Sequence, residues 1–185
     1  MDIITRPATC EDAQIIASAV AMAIGDEQAL FNYCGSDYMA VLTEIARGEE
    51  TQYSWRNAVV AEVDGVIAGA VVGYDGARLH ELREGTFAVL RQSVGRVPNI
   101  VDETESGEYY LDSIGVLPSY RARGVGRALV EAFCKHAFAE NQRCVGLIVD
   151  CENSDAERLY ASLGFKRKGV KSFFGHKMWH LQMVK

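Results

Sequence analysis

Arg121-Ala122-Arg123-Gly124-Val125-Gly126-Arg127-Ala128 lies between an apolar run, Tyr109 to Leu117, that Pro118 ends, and a helical pattern from Gly126 to Glu140. In that pattern Leu129, Phe133 and Ala137 recur at four-residue steps, on one helical face. Glycines between a strand and a helix let the backbone approach a ligand and take conformations that a β-carbon forbids. Free N–H groups at a helix start, with the positive end of the helix dipole, make an anion site whose natural occupant is a pyrophosphate. Two nucleotide loops fit poorly. A P-loop needs Gly-Lys-Ser/Thr where Arg127-Ala128 follows Gly126, and a dinucleotide fingerprint needs a third glycine where Leu129 stands.

Outward from the loop, Cys144 to Asp150 reads as another strand. Strand, glycine-bearing turn, helix and strand within about forty residues is the form of a right-handed βαβ unit with parallel strands. Downstream, Ser154 to Leu163 is a helix closed by Gly164, and Phe165–Lys171 with His176–Val184 form a closing strand pair. Upstream, residues 2–6 predict a strand, and Thr9-Cys-Glu-Asp12 has the form of a capping box opening a helix with Ile16, Val20 and Ile24 on one face. A second helix is predicted from Asp37 to Arg47, with Met39, Leu42 and Ala46 inward. Ala58–Val63 and Val66–Tyr74, joined by Asp64-Gly65, predict an antiparallel hairpin. Residues 76–107 read as an insertion in which Thr86 to Val94 can be helical.

Composition agrees with one soluble domain spanning 1–185. The chain has 185 residues, 49% hydrophobic and 24% charged, long enough to bury about two thirds of its unfolded surface without staples. With 25 Asp plus Glu against 19 Lys plus Arg, the net charge of −6 argues against a nucleic-acid partner. The basic cluster Lys166, Arg167, Lys168 and Lys171 reads as the solvated face of a strand. Five cysteines without a C-x-x-C pair suit reduced thiols and a cytoplasmic setting. The longest uncharged stretch near the start, Gln14 to Gly25, lacks a basic flank and is too short for a membrane span, so no membrane partner or signal peptide is expected.

The order Arg121-x-x-Gly124-x-Gly126 resembles the coenzyme A loop of the GNAT superfamily of N-acetyltransferases. Asn153-x-x-Ala156-x-x-Leu159-Tyr160-x-x-Leu163-Gly164-Phe165 is similar to that superfamily's later motif, at the expected distance. The opening Ile4-Thr-Arg6-Pro-Ala-Thr9 followed by Asp12 looks like the family's usual start. The resemblance covers nearly the whole chain except 76–107. It implies an α/β (α+β) fold: a mixed, mostly antiparallel sheet with a central, splayed parallel strand pair, flanked by helices. It also implies acetyl transfer from acetyl-CoA, without a metal, to a primary amine by direct attack in a ternary complex.

Carried over residue by residue, the resemblance assigns the pantetheine arm to unpaired backbone at Ile114, Gly115 and Val116, where an N–H can also stabilise an oxyanion. It assigns the pyrophosphate to the amides of Arg121, Ala122, Arg123, Gly124, Val125, Gly126, Arg127 and Ala128. Tyr160 matches the position that protonates the departing thiolate; alone it reads as a ring packed on the inner helix face. Asn153 orients the pantetheine or caps the last helix, and the two roles are compatible. An amine must lose a proton before it attacks, and Glu108 and Asp112 are the candidate bases. Strand alternation puts Glu108, Tyr110, Asp112, Ile114 and Val116 on one face. Related enzymes often carry a glutamate where this chain has Tyr110, which favours a water relay over direct proton abstraction.

Other residues read blandly. His176 and His180 on a strand stand about 13 Å apart and do not chelate. Cys151 reads as an inert thiol, and Tyr53 and Trp55 as core filling or the wall of an acceptor pocket. The acidic run Asp102, Glu103, Glu105 hints at a cationic acceptor such as a polyamine, aminoglycoside or peptide N-terminus, and a solvated acidic loop explains it equally well. A CoA-binding regulatory module and an NAD-binding oxidoreductase stay open as alternatives, as does a homodimer.

Overall fold

The computed structural model describes residues 2–185. Seven strands form one sheet: β1 (Ile3–Pro7), β2 (Ala58–Val63), β3 (Val66–Asp75), β4 (Tyr109–Val116), β5 (Cys144–Asp150), β6 (Lys166–Phe173) and β7 (His176–Val184). Their order is β1-β2-β3-β4-β5-β7-β6, and only β4 and β5 run parallel. Asp64 and Gly65 take φ of 50° and 81°, the left-handed values the β2–β3 turn requires.

The helices are α1 (Ala13–Ile24), α2 (Glu27–Cys34), α3 (Tyr38–Arg47), α4 (Leu79–Val94), α5 (Val125–Ala139) and α6 (Ser154–Ser162). α1 to α4 enclose one core against the sheet, with Ile16, Leu42, Ile45 and Leu90 fully buried, while Leu129, Phe133 and Tyr160 of α5 and α6 enter a core on the opposite face. Asp12 accepts the Thr9 N–H at 2.8 Å, closing the chain entry to α1 as the capping box anticipates. Among the described residues no helix is long and apolar enough to cross a membrane.

Three features depart from the sequence reading. α2 is additional; Asp26 starts it by accepting the Ala29 N–H at 2.7 Å. α4 begins two turns before Thr86, with Leu79, Leu82, Thr86 and Leu90 as its buried stripe. Gly85, inside α4, lets the helix meet the loop at Glu50, whose carbonyl oxygen would lie 1.9 Å from an added β-carbon.

The third departure shapes the centre of the sheet. β3 pairs Val72 with Ser113 and then Gly73 with Leu111, so Asp112 is an extra residue on β4. Alternation therefore reverses there: Glu108, Tyr110 and Asp112 share one face, whereas Ile114 and Val116 point with Leu111 into the α5 side. The single face drawn for all five is corrected by that bulge. Bulges bend strands, and here β4 pairs with β5 only at Tyr109–Val145 and Tyr110–Gly146 before the two diverge.

Candidate active site

The divergence of β4 and β5 opens a cavity of about 510 Å³. Its wall takes Tyr110 and Asp112 from one face of β4 and Leu111 and Ile114 from the other, so the opening passes through the sheet. α1, α2, α6, the end of β5 and the β6–β7 tip supply much of the rest, and Gln52, Tyr53, Arg83, Ile100 and Glu103 complete it.

None of Arg121 to Ala128 lines this cavity; the start of α5 stands beside the last residue of β4, Val116, and Leu159 of α6. Ala122 and Gly124 have φ of 57° and 86°, and Arg121 to Gly124 are exposed. Ala128 N–H makes the first helical bond, to the Gly124 carbonyl, so the N–H groups of Val125, Gly126 and Arg127 have no partner within the helix, and among the described residues no side chain caps them. A β-carbon on Gly126 would meet only Val116 at 3.8 Å and Leu159 at 4.0 Å, both ordinary contact distances. The donors and cations around it suit a diphosphate. Arg121 donates to the Val116 carbonyl at 3.1 Å, and Arg127 to the Ser162 hydroxyl at 2.6 Å.

From α6, Tyr160 reaches the cavity at 6% exposure, and its hydroxyl makes no hydrogen bond to protein among the described residues. Burial pushes its pKa up to about 12, so the phenol keeps its proton. Asn153 lines the same space while its side-chain oxygen caps α6 through the Ala156 N–H at 3.1 Å.

Asp112 is half-buried on the cavity wall, its two oxygens accepting from the Tyr74 hydroxyl and the Ser113 hydroxyl, each at 2.8 Å. Burial, followed by the negative charge of Glu103, pushes its pKa up to about 7. Glu103 is 5% exposed; Arg83, 7% exposed, donates to it at 2.6 Å and to Asp102 at 2.6 Å. Gln52 joins the group, donating to the Tyr74 hydroxyl at 3.0 Å.

Glu108 corrects the expected pair of bases. It does not line the cavity; it is 2% exposed and accepts from Thr104 at 2.7 Å and Gln182 at 2.8 Å, with the His180 Nε2 also at 2.8 Å. Burial raises its pKa, but these bonds, His180 foremost, outweigh that and hold it below the ordinary value. It lies against Gly146, where a β-carbon would come 1.9 Å from its carboxylate. The acidic run divides: Glu103 is buried and, like the exposed Asp102, bound to Arg83, whereas Glu105 is exposed. Arg83, Gln52 and Tyr74 escape the sequence reading; their only signal is burial of polar residues, which requires the fold. Tyr53 lines the cavity, Trp55 does not, and Arg83 and Glu103 both do.

The profile of the acetyltransferase (GNAT) family matches residues 27–165. The chain belongs to that family. It is 31% identical over 159 residues, 86% of its length, to a mycothiol acetyltransferase of Frankia alni, and 30% identical over 91% of its length to one of Acidothermus cellulolyticus. It spans 40% and 45% of those two relatives, less than half of each. A crystal structure of an acetyltransferase superposes with a TM-score of 0.83 at 30% identity, covering 98% of both chains. An N-acetyltransferase from Staphylococcus aureus Mu50 shares the fold with a TM-score of 0.83 at 24% identity, over 97% of this GNAT chain and 100% of that one. Neither alternative, regulatory CoA module or NAD oxidoreductase, gains support from the family match.

Proposed function

We propose that this GNAT chain moves an acetyl group from acetyl-CoA to a primary amine by direct attack in a ternary complex, in the reducing cytoplasm that keeps Cys34, Cys134 and Cys144 as buried thiols. The observation that carries it is the gap between β4 and β5 together with the amides at the start of α5, which have no helical partner and lie beside the end of β4. Acetyl-CoA supplies the activated acyl group. The Arg121–Ala128 backbone holds the pyrophosphate, and β4 from Ile114 to Val116 offers strand-like hydrogen bonds to the pantetheine. A β4 N–H stabilises the charge that develops on the thioester oxygen. Asp112 accepts the ammonium proton through water, and Tyr160 returns a proton to the departing sulfur.

Gly126→Ala tests the ligand site. Ordinary contact distances and a helical position imply an unchanged or slightly raised Tm. The methyl would obstruct the approach to the α5 amides and weaken acetyl-CoA binding by about tenfold, within an overpacking cost of about 1–3 kcal/mol. Unchanged affinity would move the ligand away from α5, and acetyl-CoA binding without acetylation of any amine in a broad panel would reject the transferase reading. Tyr160→Phe should lower kcat by about 10²-fold with little change in KM, the lower end for a lost general acid. Full activity in steady-state assays would leave Tyr160 as a packing residue.

A further inference from the structure

Resting on the acetyl-transfer reading, we infer that the acceptor is a primary amine on an apolar body with no carboxylate beside the amine. The cavity wall carries the carboxylates of Asp26, Glu103, Asp112 and Asp150 against one guanidinium, Arg83. The charge of that guanidinium is already balanced: its terminal nitrogens bind Asp102 and Glu103, and its Nε, without a partner among the described residues, is buried out of contact with solvent. The one imidazole on the wall, His176, lies 2.9 Å from Asp150. A negative charge on the acceptor therefore meets carboxylates and, among the described residues of the wall, no free cation, and like charges brought together cost several kcal/mol.

The amine itself has partners. Tyr110 lines the cavity, is 2% exposed, and its hydroxyl makes no hydrogen bond to protein among the described residues. It shares a face of β4 with Asp112, so a phenol oxygen and a carboxylate face one region of the cavity. An ammonium group donates to both; a carboxylate finds only neutral donors on the wall, the phenols of Tyr110 and Tyr160 and the Asn153 amide, and none of them offsets the charge of the four carboxylates. Apart from Gln52, Ser113 and Asn153, the remaining wall is mostly apolar or aromatic, with Tyr33, Tyr53, Ile100, Phe173, Phe174 and Met178 among its residues. The hydroxyls of Tyr33 and Tyr53 lie 3.3 Å apart and satisfy each other, which leaves their rings as surface. A hydroxyl-rich body would lose its water against this wall without replacement bonds, whereas an apolar one gains by burial.

The test uses the whole chain saturated with free CoA and three ligands that differ at one carbon: 2-phenylethylamine, phenylalanine and phenylalanine amide. Calorimetry should show 2-phenylethylamine and the amide binding with comparable Kd, and phenylalanine about a hundredfold weaker, as expected for a like-charge clash. The amide has the bulk of the carboxylate without its charge, so equal weakening of amide and acid would overturn the charge argument. So would phenylalanine binding as tightly as the amide, or no saturable binding of 2-phenylethylamine at millimolar concentration. In Asp112→Asn, checked for folding by its melt, the preference for the amide over the acid should narrow by about tenfold. The three-ligand comparison on the wild type stands without that variant. Selective amine binding without acetyl transfer would support this site and reject the transferase reading alone; transfer that prefers phenylalanine would do the reverse.

Discussion

Asp112→Asn is expected to acetylate amines about 10²–10⁴-fold more slowly than the wild type, the range for a lost general base, while binding acetyl-CoA normally. The carboxylate is the active form. With burial and Glu103 raising its pKa to about 7, kcat/KM of the wild type should climb with pH through that value and then level. Asn does not titrate, so this limb should vanish from the variant's profile. The same shift carries a stability cost with the opposite appearance. The folded pKa lies above that of the unfolded chain, near 3.9, so the unfolded chain ionises first and the wild type loses stability as pH rises from about 4 to about 7. The Asn variant escapes that loss, and its Tm relative to wild type should improve between pH 5 and pH 8. A flat wild-type rate profile over that range, or normal turnover in the variant, would remove Asp112 as the base.

Local patterns account for much of the fold. Asp64-Gly65 marks its hairpin because only left-handed backbone closes that turn, and α1 and α5 show several buried turns in four-residue steps. α2 has only Leu30, Tyr33 and Cys34 buried in eight residues, too few repeats for a period to stand out. Gly85 hides the first half of α4, since its reason is a distant carbonyl rather than a local bend. The bulge at Asp112 has no local signal either, because a one-residue slip is a property of the β3–β4 register.

The site divides along the same line. Tyr160, Asn153 and the Arg121–Ala128 loop stand at fixed spacings on single elements, so sequence places them. Strand alternation places Glu108 on the face of Tyr110 and Asp112, where it lies, but His180 and Gln182, which occupy one of its oxygens, arrive from β7 more than seventy residues later. Arg83 and Glu103 meet only when α4 and the following segment fold back on each other. Charge read along the chain treats Glu103 as available; charge read in space finds it paired.

That pairing predicts the second large effect. Arg83→Met should destabilise the protein by about 3–5 kcal/mol, the cost of removing one partner from a buried ion pair, or roughly 6–20 °C in Tm for a domain this size. Glu103 loses its guanidinium at 5% exposure, while Asp102, half-exposed, can turn to solvent. Relief of the unpartnered Arg83 Nε offsets part of this. Adding Glu103→Gln removes the stranded charge, so the double variant should regain most of the lost Tm. The pH profile reports the same network independently. Arg83 lowers the Asp112 pKa and Glu103 raises it more strongly, so the limb near pH 7 should move up in Arg83→Met and below the wild-type value in the double variant. Melts that match the wild type would show that the pair contributes nothing to stability, and a limb that stays in place would separate it from the Asp112 carboxylate.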